Sequence, residues 1–220
     1  MNILLLLIAQ YITVAWSLHF NTSYRLRGFV VVNMLLVLFL WSKMISIGGV
    51  TSSIGSLFYS TIFLIQTLIF YKEGKNFFLR GLNMSLFNFA AVCCVLFFVV
   101  SVPTLPGNES YANAVNLIAN EAIGIAVGAF LSFYVAQFFL LHLLEICRDL
   151  SFGKHTSYIV SVAICSMVES LIFSVILFGV CGDWFAILWW SWILKMLFTL
   201  AYIPIISIAE RTYFKKSNQE

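Results

Sequence analysis

Long apolar runs separated by short polar stretches dominate the pattern along the chain. Seven stand out: Asn2–Leu18, Phe29–Ser46, Ile54–Tyr71, Ser85–Val102, Glu121–Leu144, Ser157–Val180 and Trp184–Ile208. Each is close to the length of about 20 residues that a helix needs to cross a bilayer. The pattern therefore predicts an all-α fold, a polytopic membrane bundle of about seven transmembrane helices. The first run lacks the basic leading segment of a secretory signal, and no clean small-x-small site follows it, so it is expected to remain as a helix.

Composition agrees. Of the 220 residues, 62% are hydrophobic and 10% charged, whereas soluble domains carry about 25% charged residues. The bilayer, rather than an aqueous core, sets the architecture, and no separate soluble domain is expected. The distribution of the 12 Lys and Arg residues says more than the net charge of +3. Arg25 and Arg27 follow the first run; Lys72, Lys75 and Arg80 follow the third; Arg148 and Lys154 follow the fifth; Arg211, Lys215 and Lys216 follow the seventh. The alternate loops at 47–53, 103–120 and 181–183 have neither residue type. By the positive-inside rule the N-terminus is expected outside and the C-terminus in the cytoplasm of a multi-pass inner-membrane protein.

Two cations lie inside runs. Lys43, near the outer end of the second, is placed to snorkel to the interface. Lys195 is near the middle of the seventh, where a charge costs about 2.5 to 3.5 kcal/mol. Glu169, near the middle of the sixth, is the nearest compensating group. Ser161, Cys165, Ser166, Glu169 and Ser170 share a broad face at helical spacing, as do Ser191, Lys195, Thr199 and Tyr202. The two stripes converge at the depth of Glu169 and Lys195, which points to a solute site inside a bundle. The candidate binding residues are Lys195, Glu169, Gln137, Gln66, Trp192, Ser166 and Thr199. Trp184, Trp189, Trp190 and Trp192 cluster at the outer end, either as an interfacial belt or with Trp192 stacking on a planar ligand.

Other features carry less chemistry. Gly124, Gly128, Ser132 and Ala136 form a stripe of small residues suited to close helix packing. Gly48 to Ser56 reads as a broken helix entrance or as an outer loop. Pro204 is expected to bend the last run. Asn108-Glu109-Ser110 is a formal glycosylation triplet. Cys93, Cys94, Cys147, Cys165 and Cys181 have no metal-ligand spacing and read as small apolar fillers. His19, His142 and His155 are scattered. Neither a metal nor another cofactor is expected, and with Glu169 as the one acid deep in a run, an enzyme is not expected. There is no Walker A motif, so use of ATP would need a partner.

Four stretches carry a family resemblance. Ile47-Gly48-Gly49 precedes a Ser/Gly stretch and a helix ending near Gly74; Ser132 to Gln137 is followed by His142; Ser161 leads to Glu169-Ser170-Leu171-Ile172-Phe173; and Lys195 leads to Pro204. From about Val31 to Phe214 the chain resembles the queuosine precursor transporter family, also called vitamin uptake transporters. Glu169 stands where that family has aspartate. Thr67, Tyr71 and Leu140 stand at other acidic positions and Gly124 at an arginine. The resemblance implies a six-helix core at 28–210, an additional N-terminal helix and basic loop at 1–27, and a basic cytoplasmic tail at 211–220. It implies import of a small planar nucleobase-like solute, a queuosine precursor of the 7-deazaguanine type. Uptake of another vitamin-like solute, and a structural or assembly role without transport, stay open. The expected partners are the lipid bilayer and the solute, with homo-oligomers left open and no nucleic acid.

Overall fold

A computed structural model describes residues 2–19, 23–40, 44–47, 50–102, 109–177 and 184–214. Lys43, Gly48, Gly49, Asn108, Cys181 and the tail beyond Phe214 fall outside these residues. The elements are α1 (Asn2–His19), α2 (Ser23–Leu40), β1 (Met44–Ile47), β2 (Val50–Ser53), α3 (Gly55–Glu73), α4 (Lys75–Ser101), α5 (Glu109–Asp149), α6 (Lys154–Leu177), α7 (Trp184–Ala201) and α8 (Ile203–Thr212).

The fold is a helical membrane bundle, as expected, with one small addition. The second apolar run was expected to be helical through Ser46. Instead α2 stops at Leu40, and Met44–Ile47 pairs antiparallel with Val50–Ser53 in the register Met44↔Ser53 to Ile47↔Val50. Ile45, Ile47, Val50 and Thr51 are β-branched, which favours strand over helix. Within the Gly48–Ser56 stretch, Val50–Ser53 is strand and α3 starts at Gly55.

Helices also extend past their apolar runs. α2 begins at Ser23, so Arg25 and Arg27 lie in its opening turns, and α4 begins at Lys75, ten residues before its apolar run. α5 is the longest, 41 residues, or about 60 Å at 1.5 Å per residue. The outer stretch expected as a loop at 103–120 is thus helical from Glu109. Among the described residues, four segments are long and apolar enough to cross a membrane: Lys75–Ser101, Gly128–Asp149, Lys154–Ile176 and Leu188–Thr212.

α3 is the axis. Every residue from Phe58 to Phe70 is buried, and α2, α4, α5, α6 and α7 all pack against it. Its apolar side chains are enclosed by neighbouring helices, and the polar Ser60, Thr61, Gln66 and Thr67 are buried with them. The helix ends at Gly74, whose amide reaches the Phe70 carbonyl at 2.9 Å and whose φ of +81° suits a residue without Cβ. The chain then turns directly into α4, the opposite case: Phe87, Val95, Phe97 and Phe98 are exposed, leaving an apolar face for lipid. Where α5 meets α6, the small-residue stripe contributes Gly128, while the surroundings of Gly124 lie outside the described residues. Gly128, Ser132 and Ala136 are buried, and a Cβ on Gly128 would stand 3.2 Å from Ile176 Cγ2.

The end of the bundle that carries the basic residues is fastened by polar contacts. The Ser23 hydroxyl donates to Glu73 and meets the Tyr213 hydroxyl at 2.6 Å, tying α2 to the end of α3 and to the residue after α8. Lys72 lies over the Tyr213 ring at 3.9 Å. Burial pushes the Tyr213 hydroxyl up to about 12, against the Ser23 hydrogen bond, which acts in the other direction. Arg27 donates to the Phe77 carbonyl and lies over the Phe77 ring at 3.3 Å. The absence of a side chain on Gly81 gives it room, since a Cβ there would sit 3.0 Å from Arg27 Nε.

Candidate functional site

α6 and α7 run side by side and bring their polar stripes together. Lys195 Nζ forms an ion pair with Glu169 Oε2, and both side chains are fully buried. The ammonium also donates to Ser170 Oγ at 2.8 Å, while that hydroxyl lies 3.4 Å from Glu169 Oε2. The third side of the ammonium faces α3: the Tyr59 ring centroid is 5.1 Å away, within cation–π range. Tyr59 is itself held by its hydroxyl, which donates to the Ala129 carbonyl of α5 at 3.4 Å. Side chains of α3 and α6 thus surround the charge carried by α7, and α5 holds the Tyr59 side in place.

The backbone under Lys195 is fixed as well. Its carbonyl accepts from Thr199 Oγ1 at 2.7 Å, one turn on, and from Ser60 Oγ of α3 at 3.0 Å. Taking two charges out of water costs several kcal/mol each, which the pair's attraction repays only with good geometry and further hydrogen bonds. Lys195 has those further partners. Glu169 is less well served, because its second oxygen, Oε1, is buried with no hydrogen-bond partner.

Lys195 and Glu169 are therefore the expected residues that the fold joins directly. Thr199 serves the lysine backbone. Ser166 donates to the Ala163 carbonyl at 3.2 Å and lies 3.9 Å from Met196 Sδ, within α6 and across to α7. Trp192 is half-buried, and its indole N–H is committed to the Ala163 carbonyl at 3.0 Å. Its ring meets Trp189 edge-on at 5.6 Å, while Trp189 and Trp190 are exposed, as in an interfacial belt. Gln137 and Gln66 make no hydrogen bond to the pair. Both are buried; neither polar atom of the Gln137 amide has a partner, and Gln66 Oε1 has none. Along α5, Gln137 lies one turn beyond Phe133, the ring that packs on Tyr59 at 6.4 Å. Gln66 lies two turns along α3 from Tyr59. The two amides thus continue, from different helices, the faces that meet at Tyr59.

Tyr59, Ser60 and Ser170 were not among the expected site residues. Ser170 was legible only as a member of the polar face that carries Glu169. Tyr59 and Ser60 gave no signal, because the sequence does not say which face of α3 meets α7. A void of about 10 Å³ beside Tyr59, bounded by Met34, Val37, Ile62, Phe89, Ala129 and Phe133, has room for about one water. An apolar groove of about 360 Å³ lies along α5 at Phe138, Phe139, His142, Leu143 and Ile146, away from the ion pair. Among the described residues no group of three or more His, Cys, Asp or Glu side chains is placed to hold a metal.

A bundle of this kind, with charged groups sealed inside apolar helices, defines a multi-pass membrane protein. Residues 53–209 match the model of the family described as "Putative vitamin uptake transporter", and the chain belongs to that family. The stretches at 132–142, 161–173 and 195–204 lie within the match, whereas Ile47-Gly48-Gly49 precedes it. No curated protein and no solved structure matches the chain. Family membership makes the protein a membrane transporter of a small solute rather than an enzyme.

Proposed function

We propose that the protein imports a small planar nucleobase-like solute, a queuosine precursor of the 7-deazaguanine type, through the polar site between α3, α5, α6 and α7. The observation that carries this reading is the unpartnered Glu169 Oε1 beside a paired Lys195, in a bundle that also buries the unpartnered Gln137 amide. A buried acceptor without a donor costs free energy. The fused-ring edge of a deazaguanine presents adjacent N–H donors, which a carboxylate accepts well. Gln137 and Gln66 offer complementary groups to the rest of the ring. Trp192, Ser166 and Thr199 flank the site and hold its helices in place. In the arrangement described, Lys195 neutralises Glu169; a bound solute would share that carboxylate. The void beside Tyr59, about 10 Å³, is far smaller than a molecule of this size.

In this reading α1 to α6 supply six crossings, and α7 with α8 together the seventh. The N-terminus lies outside and the basic end of the bundle faces the cytoplasm of the inner membrane. Residues 28–210 form the transporting core, with 1–27 as an added helix and loop and 211–220 as a cytoplasmic tail. The test is the queuosine content of tRNA in a precursor-requiring strain that lacks its own transporter, expresses this chain and is fed different 7-deazapurines. The chain should restore queuosine, and Lys195→Ala and Glu169→Ala should abolish it while still reaching the membrane. Unchanged queuosine in both variants would refute the site.

A further inference from the structure

The N-terminal helix α1 lies outside the matched residues 53–209, yet it reaches the site helices through one polar side chain. Gln10 is at the middle of α1. Its Nε2 donates to Asn33 Oδ1 of α2 at 3.1 Å, and its Oε1 accepts from Thr61 Oγ1 of α3. The same Thr61 oxygen lies 2.9 Å from the Tyr202 hydroxyl, at the break between α7 and α8. A threonine hydroxyl has one proton to give. With that proton on Gln10, the Tyr202 hydroxyl must be the donor to Thr61.

The result is a one-way relay across the bundle: Tyr202 to Thr61, Thr61 to Gln10, Gln10 to Asn33, and Asn33 Nδ2 to the Phe29 carbonyl at 2.8 Å. Tyr202, Thr61 and Asn33 are buried, so water cannot replace a lost partner, and bonds in such a chain reinforce one another. The residue before Thr61 is Ser60, which holds the Lys195 carbonyl. Two adjacent hydroxyls of α3 therefore grip α7 at two points about two turns apart. The second grip falls where the helix is weakest. The Tyr202 amide is shared between the Phe198 and Thr199 carbonyls at 3.0 and 3.2 Å, and Pro204 has no N–H to continue the ladder.

We propose that Gln10 is a positioning residue for the transport site. Acting through Thr61, it fixes the Tyr202 hydroxyl and so sets the angle of α7, which carries Lys195, against α8. Element ends are where helices absorb the rotation of a moving part, and α1 packs along α8. The added helix is thus a working part of the bundle. Its link to transport rests on Lys195 belonging to the solute site.

The test is amide hydrogen exchange on the full chain in nanodiscs, without solute, for wild type, Gln10→Leu, Tyr202→Phe, the double variant and Gln10→Glu. Gln10→Leu and Tyr202→Phe should each speed exchange over residues 199–206 about fivefold, the effect of one ordinary hydrogen bond. The double variant should add nothing further. A neutral glutamate keeps one acceptor and one donor, so Gln10→Glu should restore slow exchange. Residues 160–175 of α6 should not change in any variant. In cells, Gln10→Leu should lower the maximal rate of 7-cyano-7-deazaguanine uptake more than it raises the half-saturating concentration. Unchanged exchange at 199–206, acceleration spread evenly over all helices, or additive effects in the double variant would overturn the proposal. Because exchange is read without solute, failure of the wild type to take up the deazapurine would count against the solute assignment alone.

Discussion

Two ion pairs in this bundle share the same chemistry and have opposite standing. Lys195–Glu169 is fully buried between α6 and α7. Lys75–Glu145 joins α4 to α5 at the basic end of the bundle, with N–O distances of 3.0 Å to both carboxylate oxygens, but its side chains are 47% and 21% exposed. An exposed pair is worth about 0 to 1 kcal/mol, because water and salt screen it. Breaking a buried pair by removing one partner costs about 3 to 5 kcal/mol, since the other charge is left unpaired in a medium that cannot solvate it. Replacing both partners of a buried pair with apolar residues is nevertheless often neutral or stabilising. A buried pair is therefore weak evidence of a stabilising role. Its presence at the centre of the bundle is an argument for function, and the pair at the basic end offers no such argument.

The largest expected effect comes from splitting the buried pair. Lys195→Met or Glu169→Met alone should lower stability by about 3 to 5 kcal/mol, read as a marked fall in melting temperature of the purified protein. The Lys195→Met/Glu169→Met double variant should recover most of that loss. If it is no more stable than the single variants, the pair is a structural necessity and the contrast collapses.

Packing between α5 and α6 should come next. Gly128→Leu places a branched side chain where Ile176 and Phe173 already stand within 3.2 and 3.6 Å of the Cβ position. Overpacking of this kind costs about 1 to 3 kcal/mol, so melting temperature and membrane yield should both fall. Gly153→Leu, where a Cβ meets nothing within 4 Å, should do neither.

A smaller effect belongs to Tyr213. Its hydroxyl is raised from 10.0 to about 12 in the folded protein, mainly by burial. The folded state therefore holds this proton more tightly than the unfolded state. The resulting stabilisation is complete below pH 10 and is lost as pH rises toward 12. Between these values wild type should lose more stability than Tyr213→Phe, which has no proton to lose. Parallel pH curves for the two proteins would remove Tyr213 from the fastening of this end. The smallest effect is reserved for the exposed pair: Lys75→Ala or Glu145→Ala should shift stability by less than about 1 kcal/mol, and a larger shift would blur the distinction between the two pairs.

The features with a high physical cost were the ones legible in the sequence. A lysine and a glutamate at matched depth are so unfavourable alone that their pairing followed from hydropathy, and the structure joins Lys195 to Glu169. Gly74 and Pro204 marked real breaks for opposite reasons: glycine tolerates the positive φ of the turn, and proline has no N–H to continue a helix. Features set by tertiary packing were hidden. The apolar window at 121–144 marks only the hydrocarbon part of α5, so its extension to Glu109 and Asp149 through more polar residues was missed. Strand pairing at 44–53 lay inside what read as the end of one helix and a loop. Tyr59 reaches the site because α3 is central, and centrality leaves no mark in an apolar run. Gln137 and Gln66 were legible as polar residues in the bundle, but their orphaned atoms emerged only from the three-dimensional arrangement.

The most direct test of the central claim is uptake of labelled 7-cyano-7-deazaguanine by cells expressing the Lys195→Met/Glu169→Met double variant, with its membrane level and melting temperature measured alongside. The account predicts a stable, correctly inserted protein with no uptake above the empty-vector background. Wild-type uptake by that variant would show that the buried charges do not handle the solute.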